Sequence, residues 1–417
     1  MLDIVFIRNN PDTVKEAARK KHIEVDVDTL LELDEKRRRL QVKLDEVRHE
    51  KNQLAAANKS GPPSAQNIEK GKELKRNGED LSGQLDKLND DFLAIMHKIP
   101  NLPADDVPEG RDEEGNVAIK HWGERSDFNF EPKGHVELGE SLDLIDQSTS
   151  ADTSGSRFYY LKGAAAQLEL AMAKWAMDKL IEKDFTPVVP PQLVREHMMT
   201  ATGFFPADAN EIYHVNPDED DLYLIGTSEV PLAGLHMNEA ISADKLPRRY
   251  VGWSTCYRRE AGSYGKDTRG IIRVHQFNKV EMYVFSHPDK SWQEHEYLLS
   301  IEEEVLQDLG LPYRVVNICG GDLGAPAAKK YDCEVWLPSQ KRYLELTSCS
   351  NTTDFQSRRG SIKYEAEQGR EYAHTLNGTV MASTRTLVAI MENYQTESGT
   401  IRVPEVLQGY INKEEIL

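Results

Sequence analysis

The chain has 417 residues, enough for one large domain and a smaller one, and its 39% hydrophobic and 29% charged content excludes a disordered or fibrous protein. No run approaches the roughly 20 apolar residues of a membrane span, and Arg8, Asp12, Lys15 and Glu16 stand where a secretory leader needs an apolar core, so a cytoplasmic location and no membrane partner are expected. The net charge of −19 argues against a broadly basic nucleic-acid binder, although screening over about 8 Å leaves room for a local basic stripe.

From Leu30 the apolar residues Leu30, Leu33, Leu40, Leu44, Val47 and Leu54, with Arg37 and Lys51 filling the gaps, recur alternately three and four residues apart. That is a heptad seam. Ser60-Gly61-Pro62-Pro63-Ser64 breaks it, and a second seam follows at Leu74, Leu81, Leu85, Leu88, Phe92, Ile95 and Ile99, with Gly78 in one slot. Two such helices, each roughly 45 Å long at 1.5 Å per residue, predict an antiparallel coiled-coil hairpin over about 28–99. A compact bundle is the competing reading, but no third long amphipathic helix nearby completes its core. Arg37-Arg38-Arg39 is the hairpin's basic cluster, which suits either a solvated helix face or a nucleic-acid backbone.

Pro100, Pro103, Pro108 and the charged run Arg111 to Gly115 form a connector, which places a boundary between domains at 1–103 and 104–417. Beyond it, helices are predicted at Ala164 to Lys183, Ser300 to Leu309 and Leu387 to Gln395. Strands are predicted at Tyr250 to Cys256, Val280 to Phe285, Glu334 to Leu337 and Leu344 to Cys349. Without regular βαβ alternation, this pattern gives an α+β fold with an antiparallel sheet. Cys256, Cys319, Cys333 and Cys349 form no ligand-spaced cluster, so reduced thiols and no structural zinc are expected.

Four segments carry candidate chemistry. Tyr257-Arg258-Arg259-Glu260-Ala261-Gly262 ends a strand before the basic loop Ser263 to Gly270, and Val274 to Phe277 leads into the return strand. Guanidinium groups there suit a polyphosphate, with Phe277 able to stack on a base; an ordinary hairpin with surface ion pairs is the plain alternative. Leu344 to Asn351 sets Glu345 and Thr347 on one strand face, with Ser348 opposite unless the strand bends; a carboxylate beside hydroxyls can hold Mg²⁺ against phosphate, and a half-buried strand with solvent-facing polar residues is the plain alternative. Arg385 falls in the first turn of a helix that follows Asn377-Gly378-Thr379, near amides that favour anions, although a helix-start arginine is more often an ordinary surface residue. Thr227-Ser228-Glu229 could bind an ammonium and a small polar group, or simply cap a helix.

In order and spacing these segments resemble the three signature motifs of the class II aminoacyl-tRNA synthetases, and the chain resembles the bacterial-type seryl-tRNA synthetases end to end. The likeness includes Ile99-Pro100-Asn101-Leu102-Pro103, Glu392-Asn393-Tyr394-Gln395 and Val403-Pro404-Glu405-Val406-Leu407. It implies activation of L-serine with ATP and Mg²⁺, then transfer to serine tRNA and, where present, selenocysteine tRNA. Motif 1, the helix ending near Phe185 with Pro190 and Pro191, would build a homodimer interface. Arg258 would grip the ATP α-phosphate, with Arg259 and Glu260 beside it, and Val274 and Phe277 would line the adenine site. Glu345, Leu346, Thr347 and Ser348 would form the ATP strand, Glu345 and Ser348 holding Mg²⁺, and Arg385 would meet the γ-phosphate. Thr227, Ser228, Glu229, Glu281 and Thr379 would bind serine. The basic triplet Arg37-Arg38-Arg39 on the hairpin would meet tRNA held across the dimer.

The family often has Asn-Gly-Ser where this chain has Asn377-Gly378-Thr379, which keeps the hydroxyl and adds a methyl; Gly360 to Arg370 is expected to be a short surface loop. Three alternatives are weaker. A non-catalytic tRNA-binding paralogue would be expected to lack Arg258, Glu281, Glu345 or Arg385, and all are present. A relative that loads a carrier protein would lack the long hairpin. Another class II synthetase for a small amino acid is disfavoured by the hairpin and by the missing zinc cluster.

Overall fold

A computed structural model describes residues 1–58, 62–261 and 269–417. The expected basic loop therefore lies largely outside the described residues at 263–268, as do Gly262 and Ser60-Gly61 of the helix breaker. The chain divides into two compact units: one comprises Asp3–Arg19 and Ile23–Pro100, the other Met1–Leu2, Lys20–His22 and Asn101–Leu417.

The smaller unit is built around helices α1 (Val27–Ala57) and α2 (Ala65–Met96). Asp26 caps α1 by accepting from Thr29 N at 2.9 Å, and Ser64 caps α2 by accepting from Asn67 N at 3.1 Å. The pair is antiparallel: Asn67 bonds Asn58 near the turn, Gly78 packs by Val47, and Arg37 lies over Phe92 at the far end. Leu30, Leu44, Leu74, Leu85 and Phe92 are buried along the expected seam. Arg37 belongs to that seam, its guanidinium 4.2 Å from the Phe92 ring centroid and 3.1 Å from Asp34.

The larger unit holds an eight-stranded sheet. In chain order its strands are β1 (Val117–Trp122), β2 (Thr186–Val188), β3 (Arg248–Tyr257), β4 (Gln276–Ser286), β5 (Tyr313–Asn317), β6 (Lys329–Leu337), β7 (Arg342–Thr353) and β8 (His374–Ala382). Their spatial order is β1-β5-β6-β7-β8-β4-β3-β2. Every pairing is antiparallel except that of β2 with β3. The expected strands are therefore present but longer than their apolar cores.

Helices α3 (Gly163–Glu182), α4 (Glu196–Thr202), α5 (Glu229–Ala233), α6 (Ser291–Asp308), α7 (Phe355–Gly360) and α8 (Ser383–Asn393) complete the elements used below. Leu168 and Met172 of α3, Leu298 and Val305 of α6, and Leu387 and Val388 of α8 share one core with Val280, Met282 and Val284 of β4. Each fully buried aliphatic contributes about 1.5–3 kcal/mol, so this face anchors the sheet beneath the site.

One expectation is corrected. Gly360 to Arg370 is not a plain surface loop, because Lys363–Ala366 and Gly369–Tyr372 pair as a small hairpin whose first strand also joins Ala240–Ser242. Buried Tyr364 anchors it, and Gly369, at φ +129°, closes its turn.

Candidate active site

Strand alternation builds the floor of the site. Because Val280, Met282 and Val284 of β4 enter the helical core, Lys279 and Glu281 face the other way, while Phe277 touches both that core and the pocket. The three line this pocket with Thr227, Glu229, Arg258, Glu345, Ser348, Thr379 and Arg385. Residues more than 150 positions apart in the chain thus meet in one cavity, all within the larger unit.

Arg258 follows the end of β3. Its backbone N–H donates to His275 O at 3.0 Å, its carbonyl lies 2.9 Å from His275 Nδ1, and its Nε donates to Gly226 O at 3.3 Å. The guanidinium carbon is 5.4 Å from the Phe277 ring centroid, within cation–π range. Two residues on, Glu260 adopts φ +50° and bonds Arg273 at 3.2 Å. Arg385, in the first turn of α8, donates to Glu345 O at 2.9 Å and stands 3.3 Å from its carboxylate.

Burial opposes ionisation of Glu345, but Arg385, Lys330 and Arg258 outweigh it and hold the carboxyl down to about 2. Its side chain is 42% exposed and lines the pocket. The register of β7 against β6 shifts between Thr347 and Glu345. This bulge is the bend on which the pattern depended: Glu345 and Ser348 share the pocket face. Thr347, expected beside Glu345, turns into the core instead, where it donates to buried Glu302 at 2.8 Å.

At the other end of the pocket, buried Glu281 pairs with Lys279 at 2.6 Å and accepts from Thr379 Oγ1 at 3.1 Å, both on Oε2. Thr227 Oγ1 accepts from Glu229 N at 3.2 Å, so this residue both helps start α5 and lines the pocket. Burial first, then neighbouring Glu281, pushes the Glu229 carboxyl up to about 7, against the pull of Gln356, Lys279 and Asn377.

Not every expected residue reaches the cavity. Ser228 is fully buried, its Oγ 2.7 Å from that of Ser254, in a spot where a Cβ on Gly252 would come within 2.9 Å of its own. Arg259 lines an adjacent cavity with Tyr213 and Tyr223 rather than this one, since consecutive side chains at a strand end point oppositely. Val274, Glu260 and Leu346 are among the lining residues. In the smaller unit Arg39 pairs with Glu35 and Arg37 with Asp34, which leaves exposed Arg38 as the member of the triplet with no ion-pair partner among the described residues.

Lys279 and Asn377 are pocket residues that the sequence reading missed as site members. Lys279 was accessible through its two-residue spacing from Glu281; Asn377 sat inside a quoted motif without a role. The structure describes no group of three or more His, Cys, Asp or Glu arranged for a metal among the described residues. No helix among them is long and apolar enough to cross a membrane.

Residues 1–103 match the seryl-tRNA synthetase N-terminal domain, and residues 213–394 match the tRNA synthetase class II core domain (G, H, P, S and T). The serine–tRNA ligase of Thermobifida fusca is 46% identical over 99% of this chain and 98% of its own length. That of Petrotoga mobilis is also 46% identical, over the whole of both chains. The crystal structure of seryl-tRNA synthetase from Pyrococcus horikoshii complexed with ATP superposes with a TM-score of 0.91 at 41% identity, covering 100% of this chain and 99% of that one. The cytoplasmic serine–tRNA ligase of Naegleria fowleri in complex with AMP gives 0.87 at 33% identity, covering 100% and 98%. With relatives this similar along the full length of both proteins, the chain belongs to the seryl-tRNA synthetase family, the class II serine–tRNA ligases.

Proposed function

We propose that the serine–tRNA ligase reaction of this chain runs in two steps within the pocket of Arg258, Glu345 and Arg385. The observation that carries this reading is their convergence, in one cavity, with the acid and hydroxyl set Thr227, Glu229, Glu281 and Thr379. ATP lies with its base near Val274 and Phe277, its α-phosphate on Arg258 and its γ-phosphate on Arg385. Thr227 and Glu281 hold the serine ammonium, and Glu229 or Thr379 takes the hydroxyl. A serine carboxylate oxygen then attacks the α-phosphorus and pyrophosphate departs. No side-chain nucleophile is needed, so catalysis is positioning and charge stabilisation. In the second step the terminal ribose hydroxyl of tRNA attacks the adenylate carbonyl and AMP leaves.

Glu345, held ionised, and Ser348 on the same face are hard oxygen donors that fit Mg²⁺, which takes one or two protein ligands and completes its shell with phosphate and water. When bound there, the ion neutralises charge on the phosphate oxygens. The division at 1–103 and 104–417, a homodimer formed through the segment ending at Pro190 and Pro191, and a cytoplasmic location belong to the same reading. So does contact between the helical hairpin and serine tRNA, or selenocysteine tRNA where present, bound across that dimer.

The test is ATP–pyrophosphate exchange against all twenty amino acids, repeated with purified serine tRNA. Serine is expected to stand alone, with alanine and glycine reduced by about 10⁴-fold, because a buried site built to bond a hydroxyl is left unpaired without one. Equal exchange with alanine would overturn the serine pocket. A pH effect follows as well. The carboxylate form of Glu229 is the one that accepts from serine, so kcat/KM for serine is expected to rise as pH increases through about 7. A flat profile between pH 6 and 8 would remove Glu229 from the pocket's working groups.

A further inference from the structure

Behind Glu229 lies a buried polar cluster that the two-step reaction does not use. Gln356 of α7 is 1% exposed. Its Nε2 donates to Glu229 Oε1 at 2.6 Å and to Thr202 O, at the end of α4, at 3.0 Å. Its Oε1 accepts from Tyr283 Oη at 2.7 Å and from Thr375 Oγ1 at 2.9 Å. Thr375 Oγ1 is in turn 2.5 Å from Thr352 Oγ1, which also donates to Thr375 O at 2.8 Å. Residues from α4, α5, α7, β4, β7 and β8 therefore converge on one amide.

The amide has only one workable orientation. Turned over, its carbonyl oxygen would face a carboxylate and a backbone carbonyl, neither of which can donate. Its NH₂ would then meet the Tyr283 and Thr375 hydroxyls, which can accept as well as donate, so the orientation is set at the Thr202 and Glu229 end. A buried polar group without its partner costs about 1–3 kcal/mol, so Thr202 O, which cannot donate, fixes which way the amide points, and the two hydroxyls hold its oxygen end in place.

We propose that Gln356 is a positioning residue for serine recognition: its amide, oriented by Thr202 O and held by Tyr283 and Thr375, holds one oxygen of the Glu229 carboxylate and leaves the rest of that carboxylate to the pocket. This rests on the assignment of Glu229 to the serine site. The same bond favours the ionised form of Glu229 against its burial and against Glu281. The groups facing Glu229 are Glu281, Lys279 and Tyr283 from β4, Asn377 from β8 and Gln356 from α7, and of these only Gln356 is itself anchored to three other elements. Its role is to set the pH at which the serine pocket becomes competent.

The test is Gln356→Leu, with Tyr283→Phe as the milder change that keeps the ring and deletes only the hydroxyl. For Gln356→Leu, kcat/KM for serine at pH 7 is expected to fall about 10- to 100-fold, the loss of a hydrogen bond to a charged group. The rising limb of its pH profile is expected to move upward by about one pH unit. KM for ATP should stay within about twofold, since no ATP contact is touched. Tyr283→Phe should shift serine in the same direction by less, and it carries the test if Gln356→Leu does not fold. A limb that stays in place in the folded variants, or serine and ATP KM rising together, overturns the proposal. Glu229→Gln, measured alongside, separates the two levels. If it leaves serine KM unchanged, the pocket assignment fails and this inference with it; if it raises serine KM while the Gln356 and Tyr283 variants do not, only the positioning role fails.

Discussion

Replacing Arg258 with alanine is expected to lower serine-dependent ATP–pyrophosphate exchange by roughly 10²–10⁴-fold, with most of the loss in kcat, while the fold persists. The size comes from removing a donor aimed at charge that grows in the transition state, which costs about 3–5 kcal/mol in a water-poor site. The location comes from the structure. Arg258 is held through its backbone to His275 and through Nε to Gly226 O, so its remaining guanidinium N–H groups are pre-aimed without reorganisation. Lysine is no substitute, because a point charge on a flexible stem cannot keep the Gly226 bond, the face of Phe277 and a phosphate oxygen together. Arg258→Lys is therefore expected to recover less than a tenth of the lost rate. The alanine variant should keep its thermal midpoint within a few degrees, because the side chain fills no core position. Exchange at the parental rate in Arg258→Ala would refute the role outright. Equal loss of rate and of folded protein would mean that the residue is structural.

How far these features could be read beforehand depends on the kind of information each one needs. The heptad spacing of Leu30 to Leu54 carried the hairpin, because a seam is a local pattern and local patterns survive in a sequence. Arg37 shows where that reading ended: its slot in the seam and its i,i+3 spacing from Asp34 are local, but its place over Phe92 depends on which residues of α2 lie opposite. In the larger unit the strands were legible as apolar runs, and their motif order supplied Arg258, Glu345 and Arg385. The face of Thr347 was not legible, since a one-residue bulge in β7 inverts everything beyond it. Gln356 was invisible for a different reason. Nothing local distinguishes it from any glutamine in a short helix, and its meaning appears only when five other elements bring hydroxyls, a carbonyl and a carboxylate to its two ends.

Deleting residues 30–97 is expected to abolish tRNA charging, by about 10³-fold or more, while serine-dependent exchange stays within a few-fold of the intact enzyme. The exchange half follows from where the chemistry sits. Every described residue that lines the pocket lies between Phe204 and Arg385 and belongs to the larger compact unit, which has its own core around α3, α6 and α8. In the smaller unit α1 packs on α2, and Asp34 is paired with Arg8 and Arg37 of the same unit. The charging half follows from electrostatics. With 70 acidic against 51 basic residues the chain as a whole repels a polyanion, so binding must depend on local basic positions, and loss of several phosphate contacts costs orders of magnitude in affinity. Arg38 supplies the finer test, because its neighbours in the triplet are already paired with acids on their own helix. Arg38→Glu should raise KM for tRNA several-fold, more at low salt than at high salt, and leave KM for serine and ATP unchanged. Simultaneous collapse of exchange and charging in the deletion would show that the hairpin supports the catalytic fold, and full charging without it would remove the tRNA from the arm altogether.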